Sequence, residues 1–169
     1  EIDATGTGLF FTDEHGLETF GVQLIAGENF SATDVNWRER NANRWPEKTI
    51  ITKALAEALF PDDAMSALGQ TVYIDDTDAM TVIGIVEKMQ ASWPSWSGLE
   101  KVMLVPERLV EFSTLYMIRT EPGMRDRLMP QVEEMLAELN SSFHQRRQMS
   151  ITEELLDIVA GFEALKKPL

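Results

Sequence analysis

The run EKTIITKALAEALFPDDAMSALGQTVYIDDTDAMTVIGIVE, from Glu47 to Glu87, constrains the fold more than any other part of the chain. Its hydrophobic pattern switches between two periods within one short stretch. Thr49 to Thr52 is a brief apolar run of strand character. Thr52 is suited to cap the helix that follows, Lys53 to Phe60, in which Leu55, Leu59 and Phe60 fall on one face. A polar turn comes next, with Gly69 placed where a positive φ is needed. Thr71 to Ile74 and Thr81 to Val86 read as strands on either side of the acidic tip Asp75-Asp76-Thr77-Asp78. Gly84 lies inside the second of them, where glycine marks a bulge or a close approach of backbones. Strands and helices interleaved in this way predict an α+β chain, with Val82 and Ile85 joining the helix face in the scaffold.

The flanking segments extend that pattern. Residues 1–12 are glycine-rich and end in a strand, Leu9-Phe10-Phe11. Asp13 is placed to cap a short helix through Phe20, which Gly21 stops. Val22 to Ala26 reads as a buried strand closed by Gly27. Ser31-Ala32-Thr33-Asp34 resembles a capping box. Residues 35–47, with Trp37, Trp45 and several arginines, read as a solvated loop with one tryptophan pinned on the body. Met89 to Gly98 is a loop, and Lys101 to Val105 and Leu115 to Arg119 are further strands. Gly123 to Asn140 is an amphipathic helix striped by Met124, Leu128, Val132, Met135, Leu136 and Leu139. Pro130 is expected to kink it or break its first turn. Met149 to Ile151 reads as a short strand. Thr152 then caps a last helix, Glu153 to about Lys166, whose acids lead and whose lysines end it, matching the macrodipole.

Charge and residue types exclude several functions. Twenty-eight acids against 15 bases give a net charge of -13. Nucleic acid demands a basic surface, so it is not an expected partner, and anionic headgroups are disfavoured too. Such a surface can draw cationic peptides or drugs, or simply keep the chain soluble. There is no cysteine, hence no disulfide and no thiolate metal site. No apolar run approaches the ~20 residues of a membrane span. The chain carries no signal peptide and does not begin with Met, which suggests a piece of a longer protein.

Candidate chemistry is sparse. His15 and His144 are the only histidines and belong to no H-x-x-x-H or H-E-x-x-H unit, so they read as surface residues and not zinc ligands. Asp75, Asp76 and Asp78 could offer oxygens to Ca²⁺ but lack the glycine and distal glutamate of an EF-hand, so a solvated hairpin tip is the simpler reading. Ser97-Gly98 is not a nucleophile elbow. Gly6 and Gly8 open no dinucleotide fingerprint, and no Walker A sequence occurs. No catalytic residue, metal or cofactor is therefore expected. The best candidate for recognition is Trp93-Pro94-Ser95-Trp96: two large aromatics on a rigid turn, in the chemistry of an interface hot spot. Both rings could instead fold back onto the core.

The order of elements from Glu47 to Glu87 resembles the periplasmic core domain of MacB-type ABC transporter permeases, the family with FtsX-like membrane helices. There the segment runs roughly V-V-I, A-x-x-L-F, P-[IL]-G-x-x-[VI] and Y-x-V-[IV]-G-[IV]-V. Earlier, Phe20-Gly21-Val22-Gln23-Leu24-Ile25-Ala26-Gly27-Glu28-Asn29-Phe30 resembles L-G-[IV]-x-[LI]-[LI]-x-G-R-x-F, with Glu28 where the family has a basic residue. The resemblance implies two subdomains: residues 1–30 and 106–169 as a porter-like, membrane-proximal α/β part, and 31–105 as an inserted, β-rich Sabre-like part. It implies the periplasmic domain of a bacterial inner-membrane permease, not an enzyme, coupling ATP-driven helix movement to export or to a periplasmic partner. ATP hydrolysis would belong to a separate nucleotide-binding subunit or domain, reached through the membrane part. A periplasmic adaptor, a carrier or a cationic substrate would be the partner, and dimerisation would belong to the full-length permease. In related lipoprotein-releasing permeases a loop of the inserted part engages a periplasmic carrier, which gives Trp93, Pro94 and Trp96 their interest. The alternative class is an extracytoplasmic ligand-sensing domain, which needs a concave pocket with convergent polar groups.

Overall fold

The computed structural model describes residues 5–39, 45–74, 77–110 and 117–165. The chain divides into two compact units, residues 1–119 and 120–169.

The first unit is built on a seven-stranded mixed sheet. Its strands are β1 (Gly8–Thr12), β2 (Leu24–Gly27), β3 (Asn36–Glu39), β4 (Lys48–Thr52), β5 (Thr71–Ile74), β6 (Asp78–Val86) and β7 (Val102–Val110). The spatial order is β1-β7-β4-β6-β2, with β3 also on β7 and β5 also on β6. β7 and β6 each pair with three other strands. β1 runs parallel to β7 from Gly8↔Val102 to Thr12↔Pro106, and β3 takes over, also parallel, from Asn36↔Glu107. β4 pairs with it antiparallel, and only at Ile50↔Leu104 and Ile51↔Met103. Pro106 therefore lies beyond the β4 pairing, where its missing N–H breaks no bond of that ladder.

Both faces of the sheet are covered, so its strands are apolar on both sides. Alternate residues sort into two cores. Ile51, Met103, Val105, Val82 and Ile85 face α2 (Lys53–Leu59) and the 3₁₀ turn Ala64–Ala67, where Leu55 and Ala56 are buried. Ile50, Val102, Leu104 and Val86 face Leu17 of α1 (Gly16–Phe20), Phe30, Met89 and Ala91. The glycine expected to mark a close approach does so. Gly84 faces Gly27 across β6 and β2, and a Cβ on Gly84 would stand 2.7 Å from the Glu28 carbonyl oxygen.

Two threonines lengthen the short β4–β7 seam. Thr49 Oγ1 donates to the Leu104 carbonyl at 2.8 Å. Thr52 Oγ1 donates to the Glu100 carbonyl at 2.7 Å and accepts from Val102 N at 3.0 Å and Leu55 N at 3.4 Å. One hydroxyl thus caps α2, as its sequence position suggests, and stitches two strands together.

Several expectations need correction. Asp13 does not cap α1. His15 sits at the N-cap with no side-chain bond, and Asp13 Oδ1 instead accepts from His15 N, forming a turn ahead of the helix. Ser31 N and Ser31 Oγ both donate to Asp34 Oδ2, half of a capping box, and the turn they close leads into β3 and not into a helix. The stretch taken as a loop thus contains a strand, because the far half of β7 offers it a partner. Met117 to Arg119 is not a strand, and residues 115–116 lie outside the described residues. Residues 75–76, two of the acids of the hairpin tip, also lie outside them, although β5 and β6 do form that hairpin.

The second unit is one helix, α3 (Arg125–Leu165), of 41 residues. It runs through Pro130 and through 149–151, where a strand and a fresh cap were expected. Thr152 caps nothing: its Oγ1 donates back to the Gln148 carbonyl at 2.8 Å, a bond made within a continuing helix. No glycine or proline separates the two apolar stretches, so nothing stops the helix. No described helix is long and apolar enough to cross a membrane.

Candidate functional site

The sequence-predicted tryptophans form one feature of the first unit. Trp93 and Trp96 bracket a turn closed by Trp96 N donating to the Trp93 carbonyl at 3.1 Å. Pro94 takes its second position, where a fixed φ favours such a turn. The rings meet edge to face, 6.4 Å between centroids. They do not share a fate. Trp96 packs against the core that holds Leu17, Met89 and Val102. Its ring lies so close to Gly6 and Gly98 that a Cβ there would come within 2.9 and 2.5 Å of it. Gly6 and Gly98 are therefore a seat for an indole. Trp93 is 61% exposed. With Thr7 the two rings border a shallow hollow of about 300 Å³.

The loop is tied down on both sides. Ala91 N donates to the Leu99 carbonyl and Lys101 N to the Gly98 carbonyl, both at 2.8 Å. Lys101 Nζ donates to Thr5 Oγ1 at 2.9 Å, tying the segment after the loop to the residues ahead of β1.

Sequence reasoning missed a second site. A cleft of about 450 Å³ is lined by Asp34, Asn36, Trp37, Arg38, Lys48 and Glu107, among others. Two of its lining residues, Trp45 and Arg38, belong to a stack. Phe11 and Trp45 lie nearly parallel, 6.1 Å between centroids, and the Arg38 guanidinium sits 4.1 Å from the Trp45 ring centre. Arg38 Nη1 donates to Glu107 Oε2 at 3.3 Å. Glu107 is 4% exposed, and burial pushes its carboxyl up against the opposing pull of Arg38. On the other wall Lys48 Nζ donates to Asp34 Oδ1 at 2.7 Å. Lys48, helped by Ser31, holds the Asp34 carboxyl down at about 2. The Asp34 carboxylate in turn raises the Lys48 ammonium. Trp45 is thus the tryptophan pinned on the body. Trp37 stands 70% exposed at the rim with Arg108 5.7 Å over its ring. The only signal in the sequence was the density of Trp, Arg and Asn around 35–47.

His15 lies beside Glu14, and Arg108 reaches Asp13 at 3.2 Å and Glu14 at 3.8 Å. Phe143 and His144 meet on α3. Among the described residues no group of three or more acidic or histidine side chains is arranged to hold a metal.

A family profile described as the MacB-like periplasmic core domain matches residues 2–143. Among solved structures, the chain is similar to the periplasmic region of MacB from Actinobacillus actinomycetemcomitans, at 19% identity. That match covers 61% of this chain and 39% of that one, with a TM-score of 0.43. It is also similar to the extracellular domain of the noncanonic ABC-type transporter YknZ from Gram-positive bacteria, at 23% identity, covering 58% and 42%, with a TM-score of 0.40. The chain thus spans about two fifths of each of those solved chains. No curated protein matches the sequence. With the profile spanning most of its length, the chain belongs to the family of MacB-like periplasmic core domains.

Proposed function

We propose that this domain couples membrane-helix movement in a longer permease to export or to the state of a periplasmic partner. ATP hydrolysis in a separate nucleotide-binding subunit or domain drives that movement through the membrane part. The full-length permease works as a dimer. Trp93 is the observation that carries the reading. It is exposed, yet its turn is stiffened by Pro94 and anchored through Trp96 into a core. A large aromatic held in place on a pre-formed turn costs little to order on binding. The partner is a periplasmic adaptor, a carrier protein or, given the net charge of -13, a cationic substrate.

Paired alanine variants of the intact permease test this. Trp93→Ala should leave unfolding stability within about 0.5 kcal/mol and abolish transport. Trp96→Ala should destabilise by roughly 2–4 kcal/mol, as for a largely packed aromatic. Normal transport by a folded Trp93→Ala variant sinks the docking role.

The cleft beside Trp37 favours a second reading, a ligand-sensing domain. In that case Trp93→Ala is silent and ligand binding alters signalling without transport.

A further inference from the structure

We propose that the cleft between β3 and the start of β4 binds a neutral, polyhydroxylated ligand, a short saccharide, with the Trp37 ring as its platform. The inference stands apart from the coupling role of the Trp93 turn.

Charge pairing selects the ligand class. Asp34 pairs with Lys48 and Arg38 with Glu107, and Glu47 is not free either. A charged ligand would compete with one of these pairs, and stripping a partner from a carboxylate as buried as Glu107 is costly. An apolar ligand would bury the same charged walls without replacing their water. A neutral ligand rich in hydroxyls does neither. A carboxylate has about four acceptor sites and a guanidinium five donors, so groups already in one ion pair retain capacity for hydroxyls. Asn36, Thr33, Asp34, Lys48 and Glu107 all border the same space.

The aromatic rim points the same way. Both sides of Trp45 are taken, by Phe11 and by Arg38. Trp37 is different: Arg108 lies 5.7 Å over its ring on one side, yet it lines the cleft and, with 70% of its surface exposed, keeps a flat area for a ligand. The negative face of an indole attracts positively polarised edges, including the C–H edges of a sugar ring. A volume of about 450 Å³ falls within the range of small-ligand sites.

The test uses the full 169-residue chain with two neutral probes, chitotriose and maltotriose, followed by tryptophan indole N–H shifts in NMR and by calorimetry. At least one probe should bind saturably, with a Kd of roughly 0.1–1 mM, and move the Trp37 indole signal. Trp37→Ala and Asn36→Ala should each weaken binding about tenfold or more, Trp37→Phe less, and Trp93→Ala not at all. Each variant is first checked by its unfolding curve, and Trp37 and Asn36 are exposed enough to be replaced without loss of fold. No saturable binding of either sugar up to about 10 mM overturns the proposal. So does binding that survives Trp37→Ala or vanishes in Trp93→Ala, or tighter occupation of the cleft by glutamate or by a short lysine peptide.

Discussion

Thr52 shows how much one side chain carries in this fold. Its hydroxyl was readable in the sequence as a helix cap. Its bonds to Glu100 and Val102 were not, because they depend on a strand some fifty residues away. Thr52→Val should therefore cost more than a cap, about 2–3 kcal/mol in chemical denaturation, because it also strands a buried Val102 N–H. Gly84 was legible for a similar reason: glycine inside a strand has few explanations. Gly84→Ala should cost roughly 1–3 kcal/mol by forcing β2 away from β6. The cleft was not legible, because pairs such as Arg38–Glu107 join residues far apart in sequence. Its titration can be checked directly. Asp34, ordinarily near 3.8, is depressed to about 2. Its contribution is therefore present above its unfolded value and lost as pH falls through about 2. Asp34→Asn should destabilise the protein at pH 6, and the cost should shrink as pH falls from about 4 toward and through 2. Glu107 has the opposite sign: its raised carboxyl favours the fold at low pH, and that contribution is lost as pH rises through its native value.

At the level of elements, the strand-helix-hairpin run from Lys48 to Val86 followed its periodicity closely, and the turn chemistry at Gly69 and the cap at Thr52 agreed with it. Leu55 is 1% exposed, so Leu55→Ala should cost ~2–5 kcal/mol. Leu59 and Phe60 pack against the same core only in part and should cost about half as much. β3 escaped detection because a polar edge strand has no alternation to read, only a partner to find. In α3 the error ran the other way. Met149-Ser150-Ile151 carries strand-like residues, but a short apolar run cannot by itself distinguish strand from helix. Ser150→Pro discriminates. Inside a continuous helix it should cost about 3 kcal/mol of helix stability and lower the ellipticity at 222 nm. A strand at that point would leave the helical signal unchanged.

For the whole molecule, the net charge of -13 sets behaviour that no single residue controls. Self-repulsion should make the melting temperature rise with added salt, and saturable DNA binding at ~0.15 M salt should be absent. The sheet has a consequence of a different kind, in time. Phe10 pairs with Leu104, and among the described strands β1 and β3 pair only with β7. A chain made at roughly 5–20 residues per second leaves β1 without its partner for about 5–20 s. Throughout that interval the apolar run Leu9-Phe10-Phe11 has no strand to lie against. Emergence of Val102 to Val110, and not of the helices, is then the event that commits the chain to its native state. A domain so arranged depends on whatever shields its first strand during synthesis and delivery, and substitutions in β7 should reduce yield before they reduce activity.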